Sequence, residues 1–328
     1  MLSRTDLKLL EQKDQPVKAT IIYIIYTLIK TSSFVLTSLL YIRNENLSPF
    51  QMLLMRSVFA WVFQIIWVNK DLKKACWDDI NRGNVGPLAT RVFQGSITNI
   101  VNYSVTKYIS LTFIAVVNGM GPPLTVALCF LLLKERINCF ETIMLGIIVV
   151  GTLIYSIAES GSDEDSDLAH AGKTMTIVMY VALFCNPVLS ALGTISMRKM
   201  KKFHEAVVSF YLNLGIGITS LIVILIEQRG FKEITDFDWQ SWMLCVAIGL
   251  TGVMSQTARF RALKLEKAVK LQKLAPLTTV WQVVFDLTIF GKSYNLLQWL
   301  GLSLLFMVYI FSGLKFLIWD LPKQKKRD

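Results

Sequence analysis

Apolar runs close to twenty residues long recur along this 328-residue chain, separated by short polar segments. About twenty helical residues cross the roughly 30 Å hydrocarbon core of a bilayer. Lipid offers no partner to an open backbone, so each run must close its hydrogen bonds within itself, as a helix. The runs are continuously apolar, without the alternation of a barrel strand. They place spans near 19–42, 50–69, 88–107, 111–133, 140–158, 174–197, 206–227, 239–260, 268–290 and 296–319. Composition agrees: 17% of residues are charged, against about 25% in an ordinary soluble domain. The expected fold class is all-α integral membrane, with ten transmembrane helices.

A net charge of +11 raises the question of nucleic acid, but the basic residues sit in short loops between apolar runs. That distribution sets membrane orientation, and no nucleic-acid partner is expected. With the N-terminus inside, the cytoplasmic segments hold Lys8, Lys13, Lys73, Lys74, Arg136, Lys199, Lys202, Arg261, Lys264, Lys325 and Lys326, among others. The opposite side holds Arg43, Lys107, Lys173, Arg229, Lys232 and Lys292, with the acidic stretch Asp163-Glu164-Asp165. Both termini are therefore expected in the cytoplasm. The first apolar run is too long for a signal-peptide core and lacks a small-residue cleavage site, so it reads as the first span.

The chain also reads as a duplication with a period of about 155 residues. Leu145-Gly146 recurs as Leu300-Gly301, Pro122 as Pro276 (one residue off), and Tyr23 as Tyr180 (two off). Five spans per half is an odd number, so the second half enters the membrane upside down relative to the first. Two inverted five-helix repeats place a substrate site at mid-membrane between the halves. The expected organisation is a cytoplasmic tail 1–18, a first repeat 19–158, an acidic loop 159–173, a second repeat 174–319 and a basic cytoplasmic tail 320–328.

Three stretches carry a resemblance. The segment LSPFQMLLMRSVFA (Leu47 to Ala60) opens a helix on Ser-Pro and carries an Arg within it. The segment from Tyr103 to Ile137 has a mid-helix proline and a Glu-Arg end, and the segment from Arg261 to Lys292 looks like its second-repeat counterpart. Together they resemble the drug/metabolite transporter superfamily in its EamA-type branch, over nearly the whole chain. The resemblance implies ten helices, two five-helix repeats and alternating-access transport of a small metabolite. Relatives of this kind carry nucleotide sugars, sugar phosphates, amino acids, purines or organic acids. The chain shows no clear copy of the lysine-bearing late-helix signature of the nucleotide-sugar carriers.

Charged groups within spans are costly and mark function. Lys30, near the middle of the first span, either enters a cavity or gate or pairs with an acid. Arg56 in the second span contacts substrate or a gate, or bonds helix carbonyls. Lys273 lies one turn deeper than Lys270 and is the better site candidate of the two. Asp286 is the acid clearly inside a span, open to a proton-coupling role or to neutralising a buried cation. Pro122, Pro123 and Pro276 remove helix hydrogen bonds and are hinge candidates. Asn99, Asn118 and Gln282 are candidates to line the cavity, beside Asn102, Asn213 and Gln256, with interhelical bonding as the alternative. Glu159 and Glu227, at membrane ends, read as solvated. The balance of Lys30, Arg56 and Lys273 against Asp286 favours an anionic or phosphate-bearing solute.

An enzyme is not expected. The two histidines, His170 and His204, lie in or beside loops, a second spanning acid for an aspartate dyad is missing, and no GxSxG elbow occurs. No cofactor motif is present, and the five cysteines have neither metal-ligand nor disulfide-framework spacing. A non-transporting scaffold and a channel remain the alternative functions. The expected partners are a small-molecule solute and the lipid bilayer, and a homodimer is compatible with the sequence. Lys325-Lys326 resembles a dilysine retrieval signal and favours endoplasmic reticulum or Golgi membranes over the plasma membrane, with a positive-inside anchor as the other reading.

Overall fold

The computed structural model describes residues 16–68, 85–121, 123–125, 127–128, 139–160, 173–200, 203–228, 230–266, 271, 274–275 and 277–315. Among them the regular structure is helical. The helices of eight residues or more are α1 (Pro16–Arg43), α2 (Pro49–Val68), α3 (Val85–Val105), α4 (Leu111–Asn118), α5 (Cys139–Ser160), α6 (Lys173–Lys199), α7 (Glu205–Ile226), α8 (Trp239–Leu265), α9 (Leu277–Thr288) and α10 (Leu296–Lys315). A single turn, Lys232–Thr235, precedes α8. Pro122, Lys273 and Pro276, the acidic stretch and most of both expected tails lie outside the described residues.

Local chemistry sets the starts of these helices. Ser48, Pro49 and Gln51 form a capping arrangement at α2, where the Ser48 N–H donates to Gln51 Oε1 at 2.9 Å and proline supplies a first residue that needs no N–H partner. Asn295 and Gln298 do the same reciprocally at α10, at 2.8 Å in both directions. Ser110 caps α4, His204 caps α7 and Asp238 caps α8.

Large apolar side chains face outward in stripes as well as filling the core. Ile21, Ile25 and Leu28 on α1, Val58, Val62 and Ile65 on α2, and Val181, Phe184 and Val188 on α6 point outward at helical spacing. Inside are Thr27, Thr31, Gln51, Arg56, Gln64, Asn186 and Asn213. Exposed apolar stripes around an interior that sets polar groups among three apolar clusters suit a lipid surround. By length and composition, six helices among the described residues can cross a membrane: α1, α2, α5, α6, α7 and α8.

Successive helices reverse direction. The C-terminal Arg43 of α1 bonds Asp238 at the N-terminus of α8, and Gln51 at the start of α2 bonds the Gly230 carbonyl after α7. At the opposite end, Lys264 near the end of α8 donates to the Phe203 carbonyl before α7. The packing pairs also come in matched sets when α1–α5 are exchanged for α6–α10. Thus α1–α8 matches α3–α6, α2–α8 matches α3–α7, α1–α9 matches α4–α6, and α2–α7, α4–α9 and α5–α10 map onto themselves. The α4–α5 and α6–α8 contacts have at most minor counterparts. In α5–α10 the backbones nearly touch: a Cβ on Gly301 would lie 2.9 Å from the Gly151 carbonyl oxygen.

The spans expected as continuous helices over 111–133 and 268–290 are interrupted. Gly119 and Met120 form a turn after α4, the Gly119 N–H reaching back to the Ala115 and Val116 carbonyls. Leu274 and Ala275 form a turn before α9. The prolines at 122, 123 and 276 have no N–H to return to a preceding carbonyl, which explains why the ladder stops beside them. The two breaks are separated by about 155 residues, the period expected of a duplicated chain.

Asp238 illustrates how one end is fastened. Its carboxylate accepts the Ser241 N–H at 2.9 Å and the Arg43 Nε–H at 3.0 Å. The Ser241 bond, and then the Arg43 guanidinium, hold its pKa down at about 2. A depressed carboxyl stabilises above its ordinary value near 4, and that contribution disappears as pH falls through the folded value. The melting-temperature gap between wild type and Asp238→Asn should therefore be constant above about pH 5 and close as pH falls through about 2. A gap that persists at pH 2 would contradict this.

Candidate functional site: a central cationic cavity

Helices α1, α2, α3, α4, α6, α8 and α9 surround a cavity of about 80 Å³. That is room for a few waters, each with a share of about 30 Å³. Its walls carry four cationic groups, Lys30, Arg56, Arg91 and Arg259, and no carboxylate among the described residues. Tyr26, Gln94, Asn99, Asn102, Tyr103, Asn118 and Gln256 supply neutral polar surface. The breaks in α4 and α9 open here too, through Gly119, Gly121, Ala275 and Thr278.

Arg56 is 2% exposed. Its guanidinium stacks over the Tyr103 ring, 4.7 Å from the centroid, and Tyr103 is fixed by a 3.0 Å hydrogen bond between its hydroxyl and that of Ser33. The Nε and Nη1 atoms of Arg56 have no hydrogen-bond partner among the described residues. Gly252 on α8 makes room for it, since a Cβ there would stand 3.0 Å from Nε and Nη2. Gly252→Val should therefore destabilise by about 1–3 kcal/mol through overpacking. In an Arg56→Ala background most of that cost should vanish. Thermal unfolding of the four proteins of this cycle measures the coupling; an equal cost in both backgrounds would refute the contact.

Arg91 donates from Nη1 to Gln94 Oε1 at 2.9 Å and from Nη2 to Gln256 Oε1 at 3.1 Å. Arg259 donates from Nη2 to Thr194 Oγ1 at 3.0 Å and lies 5.8 Å from the Tyr26 ring centroid. Lys30 Nζ lies 5.8 Å from the Phe34 ring centroid. Neutral groups thus fix the three guanidinium positions without cancelling their charge. Buried charge without a counter-charge is costly, so this arrangement favours an anion in the cavity.

A carboxamide cluster closes one wall. Asn102 Oδ1 accepts from Asn118 Nδ2 at 2.8 Å and from Asn186 Nδ2 at 3.0 Å, and Asn186 Nδ2 also reaches Asn118 Oδ1 at 2.9 Å. Asn186 precedes Pro187, a proline within the body of α6.

Of the residues singled out from sequence, Lys30, Arg56, Asn99, Asn102, Asn118 and Gln256 line this cavity together. Pro123 is buried just past the α4 break. Gln282 is buried on α9, its Oε1 without a hydrogen-bond partner among the described residues, but it is not part of the cavity wall. Asp286 sits elsewhere, at the start of α4. There its Oδ2 accepts the Thr112 N–H at 3.1 Å, the Thr112 hydroxyl at 2.5 Å and the Tyr294 hydroxyl at 3.2 Å. A carboxylate at a helix N-terminus also meets the positive end of the helix dipole. Asp286 further lines a second, wider recess of about 810 Å³ with Lys107 and Lys292. Sequence reasoning missed Arg91, Arg259, Gln94 and Asn186.

Residues 18–157, which take in nearly all of α1 to α5, match the EamA-like transporter family. The chain carries an EamA-like domain of the drug/metabolite transporter superfamily. The family is one of transporters, and with several helices apolar and long enough to cross a bilayer the protein is a multi-pass membrane protein of transporter type. Two Saccharomyces cerevisiae proteins are similar at comparable distance. One, described as a probable transport protein, is 21% identical over 276 residues, covering 80% of this chain and 77% of that protein. The other, an uncharacterized membrane protein, is 20% identical over 280 residues, covering 80% of this chain but 65% of its own length. A solved crystal structure superposes with a TM-score of 0.65 over 90% of this chain and 96% of that chain at 15% identity, a likeness of fold. The EamA-like domain contributes Lys30, Arg56, Arg91, Asn99 and Asn118 to the cavity, while Gln256 and Arg259 come from the half that follows it.

Proposed function

We propose that this protein is a carrier that moves a small anionic or phosphorylated metabolite across a membrane by alternating access. Its moving parts are two inverted five-helix repeats, 19–158 and 174–319. The observation that carries the substrate class is the cavity wall, with four cationic groups and no carboxylate among the described residues. The matched packing pairs, the reversal of successive helices and the paired breaks in α4 and α9 support the inverted repeat. Broken helices that expose backbone at a central site are a recurrent transporter device. Lys30, Arg56, Asn99 and Asn118 bind substrate, joined by Arg91 and Arg259. Lys273 and Gln282 remain substrate candidates by position in sequence. The Gly119 and Ala275 turns, beside Pro122, Pro123 and Pro276, are the hinges. Asp286 anchors α4, and from the wider recess it is also the candidate for ion coupling.

Loop charge supports an orientation with both termini in the cytoplasm, which puts the wider recess on the outer or lumenal face.

The test is uptake into proteoliposomes holding the purified protein, with labelled nucleotides, nucleotide sugars, sugar phosphates, carboxylates, amino acids and purines offered in turn. Saturable uptake of one anionic class, lost in Arg56→Ala and Arg259→Ala, is expected. Uptake confined to cations or neutral solutes would overturn the anionic reading. Ohmic current would make the protein a channel, and no flux of any solute would favour a scaffold.

A further inference from the structure

We infer that the transported anion carries at least two separate oxyanion groups, held by a stair of arginines along one face of α8. This rests on the anionic reading above and goes further, to the number and spacing of the charges.

Gly252, Gln256 and Arg259 recur at i, i+4 and i+7 on α8, which is one helix face. Each marks a step occupied by a guanidinium. Arg56, arriving from α2, lies against Gly252. Arg91, arriving from α3, donates to Gln256. Arg259 belongs to α8 itself and is tied to Thr194 on α6. At about 1.5 Å of rise per residue, the steps extend over roughly 10 Å. Lys30 adds a fourth positive group to the same wall.

The partners of these arginines are two tyrosine rings, two glutamine carboxamides and a threonine hydroxyl. They orient the forks and leave the charge standing. One carboxylate or phosphate occupies one or two neighbouring guanidinium forks, because bidentate pairing is a short-range, planar contact. The remaining step then stays in the cavity wall without a counter-charge. A solute with two oxyanion groups a few ångströms apart engages successive steps and cancels most of the wall. Affinity should therefore rise steeply from one group to two.

The wild-type protein tests this by thermal unfolding titrations in two series. One is acetate, succinate and citrate; the other is methyl phosphate and the bisphosphate of 1,3-propanediol. Within each series the half-saturating concentration should fall at least tenfold from the one-group to the two-group member. The series that gives the lower values separates carboxylate from phosphate recognition. In Arg259→Gln the advantage of succinate over acetate should shrink at least tenfold while acetate still shifts the melting point, which also certifies the fold. If one-group anions bind as tightly as two-group anions, the inference fails and the anionic reading stands. If neither series shifts the protein but a neutral or cationic solute does, both fall. Absence of any shift with succinate, citrate and the bisphosphate also overturns the inference.

Discussion

Without ligand, Arg56→Met protein is expected to unfold at a higher temperature than wild type, and in liposomes it should take up no substrate. Arg56 is 2% exposed, and two of its guanidinium nitrogens have no hydrogen-bond partner among the described residues. Burying an ion that lacks a counter-charge costs several kcal/mol even after relaxation. The stack on Tyr103 offsets about 0.5–2 kcal/mol of that. Methionine is unbranched, fills a similar channel beside Gly252 and carries no charge. A net gain of roughly 1–3 kcal/mol follows, by analogy with buried charges replaced by apolar side chains. The ligand-bound comparison reverses. Wild type at about 100 times the dissociation constant should gain roughly 2.7 kcal/mol, and the variant nothing. Opposite signs in the two conditions identify a residue kept for binding at the expense of stability. A variant less stable than wild type without ligand would show instead that Arg56 is a structural tie.

The ease with which parts of this molecule can be read from sequence follows from where each residue stands in its apolar run. Lys30 and Arg56 interrupt long apolar runs well away from their ends, where no anchoring role competes, and both reach the cavity. Arg91 and Arg259 fall in the first and last turns of the expected spans 88–107 and 239–260, where a basic residue reads as a positive-inside anchor. The signal that separates them from an anchor is facial. Arg91, Gln94, Thr98 and Asn102 form one polar stripe on α3, joined by the 2.9 Å bonds of Gln94 to Arg91 and to Thr98. Gly252, Gln256 and Arg259 form another on α8. The prolines stand beside the breaks next to α4 and α9, and the turns themselves fall on Gly119-Met120 and Leu274-Ala275. Asn186 stayed hidden because its partners, Asn102 and Asn118, are distant in sequence and meet it only once α3, α4 and α6 pack.

Glu159→Ala should produce the opposite pairing of effects, a marked loss of stability with substrate affinity unchanged. Its position at the end of an apolar run reads as solvated, yet the residue is 4% exposed. The run ends beneath other elements, and the carboxylate gathers donors from three of them. Ser110 Oγ, which also caps α4, reaches it at 2.7 Å, Lys292 Nζ at 2.8 Å and Gln298 Nε2 at 2.6 Å. Removing the acceptor strands a cation and two polar groups at the junction of α4, α5 and α10. Breaking a fully buried ion pair costs about 3–5 kcal/mol. The Lys292 side chain is 30% exposed, so water recovers part of this and about 2–3 kcal/mol is the expected loss. Glu159→Gln should lose less, and Lys292→Met should recover part of the Glu159→Ala deficit by removing the stranded charge. No residue of α5 or α10 is among the described walls of the cavity, and their backbones are packed together at Gly151 and Gly301. The pair therefore acts as a prop beside the site, and the half-saturating substrate concentration of Glu159→Ala should match wild type below its melting range. A large affinity change would mean instead that this junction moves in the transport cycle.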